Sequence, residues 1–309
     1  HDPGRGALRA PHPRHLSTTS LLAVPNVSEG RDPHRIAAIA AAFGQHQATV
    51  LDIHSDPDHN RTVYTLHGQP GSLAHALEAG AKAAIDLIDL NHHEGIHPRV
   101  GVLDVAPIVY RDDAARGAAA AEALVLADLL AEELNLPVFL YGALSYRNHT
   151  RAAIRRGGPP GLQQRIDAGE QTPDYGPHKL HPTAGATLVA ARPPLIAFNV
   201  ELEPPATEQE AKRIAAELRE SGPNGLPTLR ALGVHLRQRR RAQITTNIED
   251  HTKTTPADVI AAIAELGGTP SRAEIVGLPP EAAMRDFPEQ VPLDNHRTLE
   301  QALRSHNLE

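Results

Sequence analysis

Cysteine and tryptophan are absent from this 309-residue chain, methionine occurs once, and phenylalanine and tyrosine occur only four and five times. Without cysteine there is no disulfide framework, no thiolate nucleophile, no Cys-ligated zinc and no iron–sulfur cluster, so imidazole and carboxylate are the strong metal ligands left. The same absence fits a reducing, cytoplasmic setting. Long uncharged apolar runs are also missing. The nearest approach, Gly117 to Leu134, carries Glu122, Asp128, Glu132 and Glu133, and could not cross a bilayer without burying charge. With a formal charge of −7, the chain lacks the excess of cations that a broad nucleic-acid surface requires. Small-molecule partners are expected, with neither nucleic acid nor membrane.

The composition that remains, 40% apolar and 22% charged, is that of a globular chain long enough for about two domains. The first twenty residues, HDPGRGALRAPHPRHLSTTS, show no apolar periodicity and read as a flexible extension without the features of a secretory signal. From Leu21 the pattern becomes regular. A strand LLAVPNV precedes Asp32 and Pro33, which serve as N-cap and first-turn residue of a helix to about Phe43. Strands ATVLDIH and RTVYTLHG, a helix from about Ser72 to Leu90 and a strand GVLDVAPIVY follow, in the order β-α-β-β-α-β. The order recurs near the C-terminus: LIAFNVEL, the helix ATEQEAKRIAAELRES, strands LRALGVHL and AQITTNI, the helix TPADVIAAIAEL and the strand RAEIVGL. Two copies of one split unit predict an α+β protein of two tandem ferredoxin-like (βαββαβ) sandwiches with a cleft between them. A long helix (Ala114 to Asn135), a strand LPVFLYGA and a Gly/Pro-rich stretch form the seam, and the tail beyond residue 280 has no assigned role.

The stretch HHEGIHPRVG, residues 92 to 101, concentrates three histidines. His93 and His97 have the i, i+4 spacing of a helical metal pair, with His54 or Asp56 as a further ligand, but Gly95 and Pro98 work against helical geometry there. A surface loop that happens to collect imidazoles is a second reading. The third is acid–base chemistry: His97 titrates near neutrality and handles protons, while Arg99 either clamps a substrate carboxylate or pairs with Asp104. Such a pair suits one-carbon transfer to an amine, which must lose a proton before it attacks.

The segments VPNVSEGRD (24–32), LDIHSDPDHNRTV (51–63), GIHPRVGVLDV (95–105), DYGPHKLHPTAGAT (174–187), LIAFNVEL (195–202) and AQITTNIED (242–250) resemble, in order, the formiminotransferase domain of the glutamate formimidoyltransferase family. The resemblance covers residues 21 to about 280. It implies two α/β subdomains, 21–190 and 191–280, followed by a tail over 281–309, with a substrate channel between the subdomains. It also implies a homodimer without metal that moves a formimidoyl (or formyl) group between N5 of tetrahydrofolate and the amino group of glutamate. The substrates would be 5-formimidoyl- or 5-formyl-tetrahydrofolate and glutamate, with a place in histidine degradation or in recovery of stored folate. The cyclodeaminase domain fused behind this one in mammalian members is not expected within these 309 residues.

By the same resemblance the catalytic histidine falls on His97 and the folate-binding segment on Gly176 to Gly185. Read alone, that segment is a linker. In the light of the resemblance, Gly176, Gly185, Pro177 and Pro182 hold a loop close to a flat ligand; His178, Lys179 and His181 donate to it, and Leu180, Thr183 and Ala184 complete the segment. Ile96 stands where the family has Glu, Ala184 where animal members have an aromatic, and His54 where they carry an acid. Asn26, Asn199 and Asn247 lie at strand positions where an amide needs a partner, and are candidates for orienting folate or substrate. Asn60, Arg61, His54 and Arg99 complete the candidate binding set. The cluster RQRRR (237–241) reads as a solvated hairpin end. Two other function classes stay open: a non-catalytic folate-binding protein and a His/Asp metallohydrolase.

Overall fold

The computed structural model describes residues 20–308, so the N-terminal extension lies outside the described residues apart from Ser20. The opening strand is split into β1 (Leu21–Ala23) and β2 (Asn26–Val27), because Pro25 has no N–H to give to a ladder. Helix α1 (Pro33–Phe43) begins as the sequence predicts: the Asp32 carboxylate accepts from the backbone N–H groups of His34 and Arg35. The hairpin β3 (Thr49–Asp56) and β4 (Arg61–Gly68) follows, then α2 (Leu73–Leu87) and β5 (Leu103–Val109). Helix α2 stops three residues short of its expected end, and residues 90–92 form a short 3-10 turn instead. The two helices close on one another at Gly80, where a Cβ would stand 2.0 Å from the Phe43 ring. Gly80→Val is expected to overpack this contact and cost about 1–3 kcal/mol; an unchanged denaturation midpoint would show that the helices have room to part.

Beyond β5 come α3 (Arg116–Leu134), β6 (Val138–Leu140), α4 (Arg151–Arg155), α5 (Gly158–Asp167) and β7 (Thr187–Arg192). The sequence places α4 and α5 in the polar seam and predicts no strand where β7 forms. Pro159 and Pro160 punctuate that stretch, yet both fall in the first turn of α5, where a missing N–H costs nothing. Strands β6 and β7 add in parallel to β5, giving the sheet order β3-β4-(β1/β2)-β5-β7-β6.

The second sheet is built from β8 (Ile196–Leu202), α6 (Glu208–Leu218), β9 (Leu229–Leu236), β10 (Arg241–Ile248), α7 (Pro256–Glu265) and β11 (Pro270–Val276). The tail contributes β12 (Leu293–Asp294), parallel to β11, and α8 (Leu299–Ser305), so the order is β12-β11-β8-β10-β9. The protein is thus α+β with two sheets, each with its own apolar core. The tail is integral to both halves. Thr298 and Gln301 form a reciprocal cap on α8, and Leu299, Ala302 and Leu303 pack on Leu22, Leu51 and Val109 of the first sheet.

Strand alternation decides what the sheets show each other. Tyr64 and Leu66, Ala106 and Ile108, and Phe198 and Val200 turn toward the helices. Their neighbours Arg61, Val63, Thr65, Val105, Pro107, Ala197 and Asn199 line a cavity shared by both sheets.

Candidate active site

Three of the four asparagines singled out from sequence, Asn26, Asn199 and Asn247, line this cavity together with His54, Arg61 and His97. They reach it from six places: β2, β3, β4, the loop before β5, and the strands β8 and β10 of the other half.

His97 is half-buried and stands beside an ion-pair cluster that sequence reasoning did not assemble. Arg61 donates through Nε to Asn26 Oδ1 (2.9 Å) and through Nη1 to Asp104 Oδ2 (2.8 Å), and the same Nη1 lies 3.2 Å from His97 Nδ1. Asp104 is fully buried in β5, receives a second guanidinium from Arg155, and accepts the Val100 N–H at 2.8 Å. Burial alone would raise the Asp104 pKa, but the charges of Arg155 and Arg61 overcome it and hold the carboxylate below its usual range. Burial pushes Arg61 down to about 10. His97 is held well below an ordinary imidazole by burial first and then by the positive charges of Arg61 and Arg155. The ring is therefore neutral at physiological pH.

A guanidinium cannot accept a hydrogen bond. With Arg61 on Nδ1, the neutral His97 ring accepts there and carries its proton on Nε2.

A second polar cluster closes the cavity from the other half. His54 Nε2 lies 3.2 Å from Glu274 Oε1. Burial disfavours the His54 charge, yet the Glu274 contact outweighs it and raises the pKa. The Asp56 carboxylate lies 3.3 Å from His59 Nδ1 and 3.5 Å from Arg239, and although burial opposes its ionisation these contacts hold it at about 2. Arg239 belongs to the RQRRR hairpin. Rather than ending in solvent, it reaches across to the first half, with Glu201 at 2.7 Å on its own side, and the Gln238 N–H donates to Asp58.

Two candidates have other work. Asn60, at a left-handed φ of 48°, accepts from the Gly30 N–H and donates to the Glu94 carbonyl, both at 2.8 Å, and so ties three loops together. Arg99 pairs with no carboxylate among the described residues; its guanidinium donates to the carbonyls of His93, Gly95 and His97, folding the His97 loop around itself. Asp104, which could have been its partner, is taken by Arg61 and Arg155.

The segment 176–185 does not line the cavity wall. It packs against the entry to β5: the Val102 N–H donates to the Ala184 carbonyl, the Ala186 N–H to the Val100 carbonyl, and Gly101 faces Gly185. Gly101 permits this approach, since a Cβ there would lie 1.9 Å from the Ala186 carbonyl oxygen. His178 and Lys179 are exposed, His181 Nδ1 accepts from the Ala184 N–H, and Ala184 is buried. As for metals, His93 is turned to the Asn60 carbonyl (2.8 Å), and no group of three or more His, Asp or Glu able to hold an ion occurs among the described residues.

The residues that sequence missed are Arg151, Arg155, Arg192, His59 and Glu274, while Asp104 entered only as a possible partner of Arg99. Only Asp104 carried a signal, as a lone charge in the apolar strand LDVAPIV.

Residues 20–192 match the family description "Formiminotransferase domain, N-terminal subdomain", and residues 197–290 match "Formiminotransferase domain". The chain is 38% identical over 279 residues to the formimidoyltransferase-cyclodeaminase of Mus musculus, covering 85% of this chain and 50% of that protein. It thus spans about half the length of the mammalian relatives it matches. It is 35% identical to the glutamate formimidoyltransferases of Streptococcus pyogenes and Thermoplasma acidophilum, covering 91% and 89% of those proteins.

Proposed function

The chain belongs to the formiminotransferase domain family, and on that footing we propose that it is a folate-dependent transferase moving a formimidoyl (or formyl) group between N5 of tetrahydrofolate and the amino group of glutamate. The observation that carries the reading is the neutral His97 ring, held by Arg61 at 3.2 Å, in a cavity walled by both sheets. The two sheets share the inner order β5-(β1/β2)-β4-β3 and β11-β8-β10-β9, which supports reading each half as a ferredoxin-like sandwich and the cavity as the substrate channel.

Tetrahydrofolate supplies the nitrogen that exchanges the one-carbon group with the amino acid. The wall suits such a ligand: Val63, Val105, Pro194, Ile196, Ile275 and Leu278 offer apolar contact, and Asn26, Asn199 and Asn247 offer amide groups, Asn199 being bonded to Glu274 behind it. The segment 176–185, bonded to Val100 and Val102 close after His97, is proposed to hold folate from the rim. The neutral His97 ring first takes up the proton given up by the incoming ammonium and then, as the imidazolium, returns a proton to the departing nitrogen; one C–N bond forms, one breaks, and no net proton is lost. Arg61 fixes the tautomer and Arg99 holds the loop in shape.

The charge state has a testable consequence. Because the folded His97 pKa is lowered, the ring becomes protonated only as pH falls well below 6.5. The acid-side fall in kcat should therefore lie below that value, and Arg61→Met, which removes one repelling charge, should move it upward. An acid limb at 6.5 or higher in the unsubstituted protein would contradict the neutral-ring assignment.

The test of the reaction itself is a panel of 5-formimidoyl- and 5-formyl-tetrahydrofolate against glutamate and other amino acids. Transfer to glutamate is the expected result. If no pairing turns over while folate binds, the protein is a binder and the catalytic reading fails.

A further inference from the structure

Resting on that reading, we propose that the end of the cavity formed by Arg151, Arg155 and Arg192 is the subsite that holds the carboxylates of the amino-acid substrate. Arg151 and Arg155 sit one turn apart on α4 and so share a face, Arg192 ends β7, and Arg61 begins β4; all four line the cavity. Against these four guanidiniums stand two carboxylates. Asp104 is fully buried and is shared by Arg61 and Arg155. Glu249 lies 3.6 Å from Arg151, is 40% exposed, and is shared with Arg230 at the same distance. Arg192 has no carboxylate within ion-pair distance among the described residues; its Nη1 donates to the Pro193 carbonyl at 2.9 Å, and the Tyr141 hydroxyl is its other side-chain neighbour.

The wall therefore carries about two uncompensated positive charges removed from bulk water, an arrangement that is costly unless anions complete it. The Nε atoms of both Arg155 and Arg192 are buried without a hydrogen-bond partner, so the cluster is not satisfied by the protein alone. A second cluster, which reaches the cavity through His54 and Asp56, has the opposite character, with Asp56, Glu201 and Glu274 around Arg239 and His54. Two carboxylates on one small molecule match the arginine end in number and in charge. With the carboxylates seated there, the amine of a glutamate points back along the wall toward Arg61 and His97, where the chemistry is placed. Arg99, whose guanidinium is spent on loop carbonyls, is not needed for the clamp.

A glutamate moiety could also arrive as the tail of folate, and the test separates the two. Arg192→Gln and Arg151→Gln are made separately in the full chain, so that a variant that fails to fold leaves the other to decide. Calorimetry measures glutarate, which has both carboxylates but no amine to react, and kinetics give KM and kcat for glutamate. Binding of tetrahydrofolate is compared with that of tetrahydropteroate, which lacks the tail. The expected result is loss of glutarate binding and a glutamate KM raised roughly 10- to 100-fold, the range for charge-assisted hydrogen bonds, with kcat changed little and folate affinity unchanged. Arg151→Lys should recover part of the loss. Unchanged glutarate binding and glutamate KM in both variants would overturn the proposal. So would weaker binding of tetrahydrofolate, but not of tetrahydropteroate, with the glutamate KM intact, since the arginines would then hold the folate tail. Absence of turnover in the unsubstituted protein would remove the transferase reading, while glutarate binding that depends on the arginines would still identify a dicarboxylate site.

Discussion

Replacing His97 with alanine is expected to lower kcat by about 100-fold or more, the usual scale for a group that transfers protons to the reacting atoms, with folate affinity held within a few-fold. The geometry predicts this separation. Arg61 keeps its bonds to Asp104 and to Asn26 when the imidazole is gone, so the wall that receives the ligands stays in place. What disappears is the imidazole that takes the ammonium proton and returns one to the departing nitrogen. The variant should therefore bind tetrahydrofolate in a fluorescence titration and yet turn over slowly at saturating substrate. A kcat within a few-fold of the original would mean that another group carries the proton. His59 is the natural alternative, because its ring lies 6.1 Å from that of His97, it also lines the cavity, and Asp56 orients its Nδ1.

The second large effect belongs to Asp104. Its carboxylate is the common acceptor of two guanidiniums, each about one-tenth exposed, and of a backbone N–H. Asp104→Asn leaves the positive charges of Arg61 and Arg155 in place with no counter-charge between them. Breaking a buried pair from one side typically costs about 3–5 kcal/mol, chiefly because the surviving charge stays buried. Denaturant unfolding should show that loss, with activity falling alongside it, since Arg61 no longer has a fixed position against His97. The pH dependence gives an independent check. Because the folded Asp104 pKa is lowered, its contribution is fully present above the unfolded value near 3.8 and is lost as pH falls through the folded value. The stability of the original protein should therefore drop in that acid window more than that of the variant. If Asp104→Asn unfolds at the same denaturant concentration as the original, the cluster does not hold the sheet face together.

The same cluster shows why sequence reading stopped where it did. Arg61 and His97 were both singled out, but as members of separate motifs, and Arg155 was lost in a stretch whose glycines and prolines suggested a linker. What joins them is the pairing of β4 with β2 and of β2 with β5, which brings Arg61 beside Asp104 across about forty residues of chain. Arg239 makes the same point in reverse. A run of four arginines and a glutamine between two strands looks like a solvated turn, and only its placement over Asp56 and Glu201 turns it into a bridge between the halves.

Local chemistry was decided by the residues alone. Asp32 and Pro33 start α1, Thr255 with Asp258 starts α7, and the period-two runs of β4, β5, β8 and β10 need no tertiary information to be strands. The two β-α-β-β-α-β units and the constrained imidazole at His97 follow from such signals, because capping, turn geometry and periodicity act over a few residues. The tertiary structure decided which strand faces look at each other, that Asn60 and Arg99 brace loops while Asp104, Arg155 and Arg192 shape the cavity, and that α8 fastens the two halves. Those outcomes depend on burial, and burial is a property of surfaces brought together from distant parts of the chain, where a charge is stable only beside a partner that no local pattern announces.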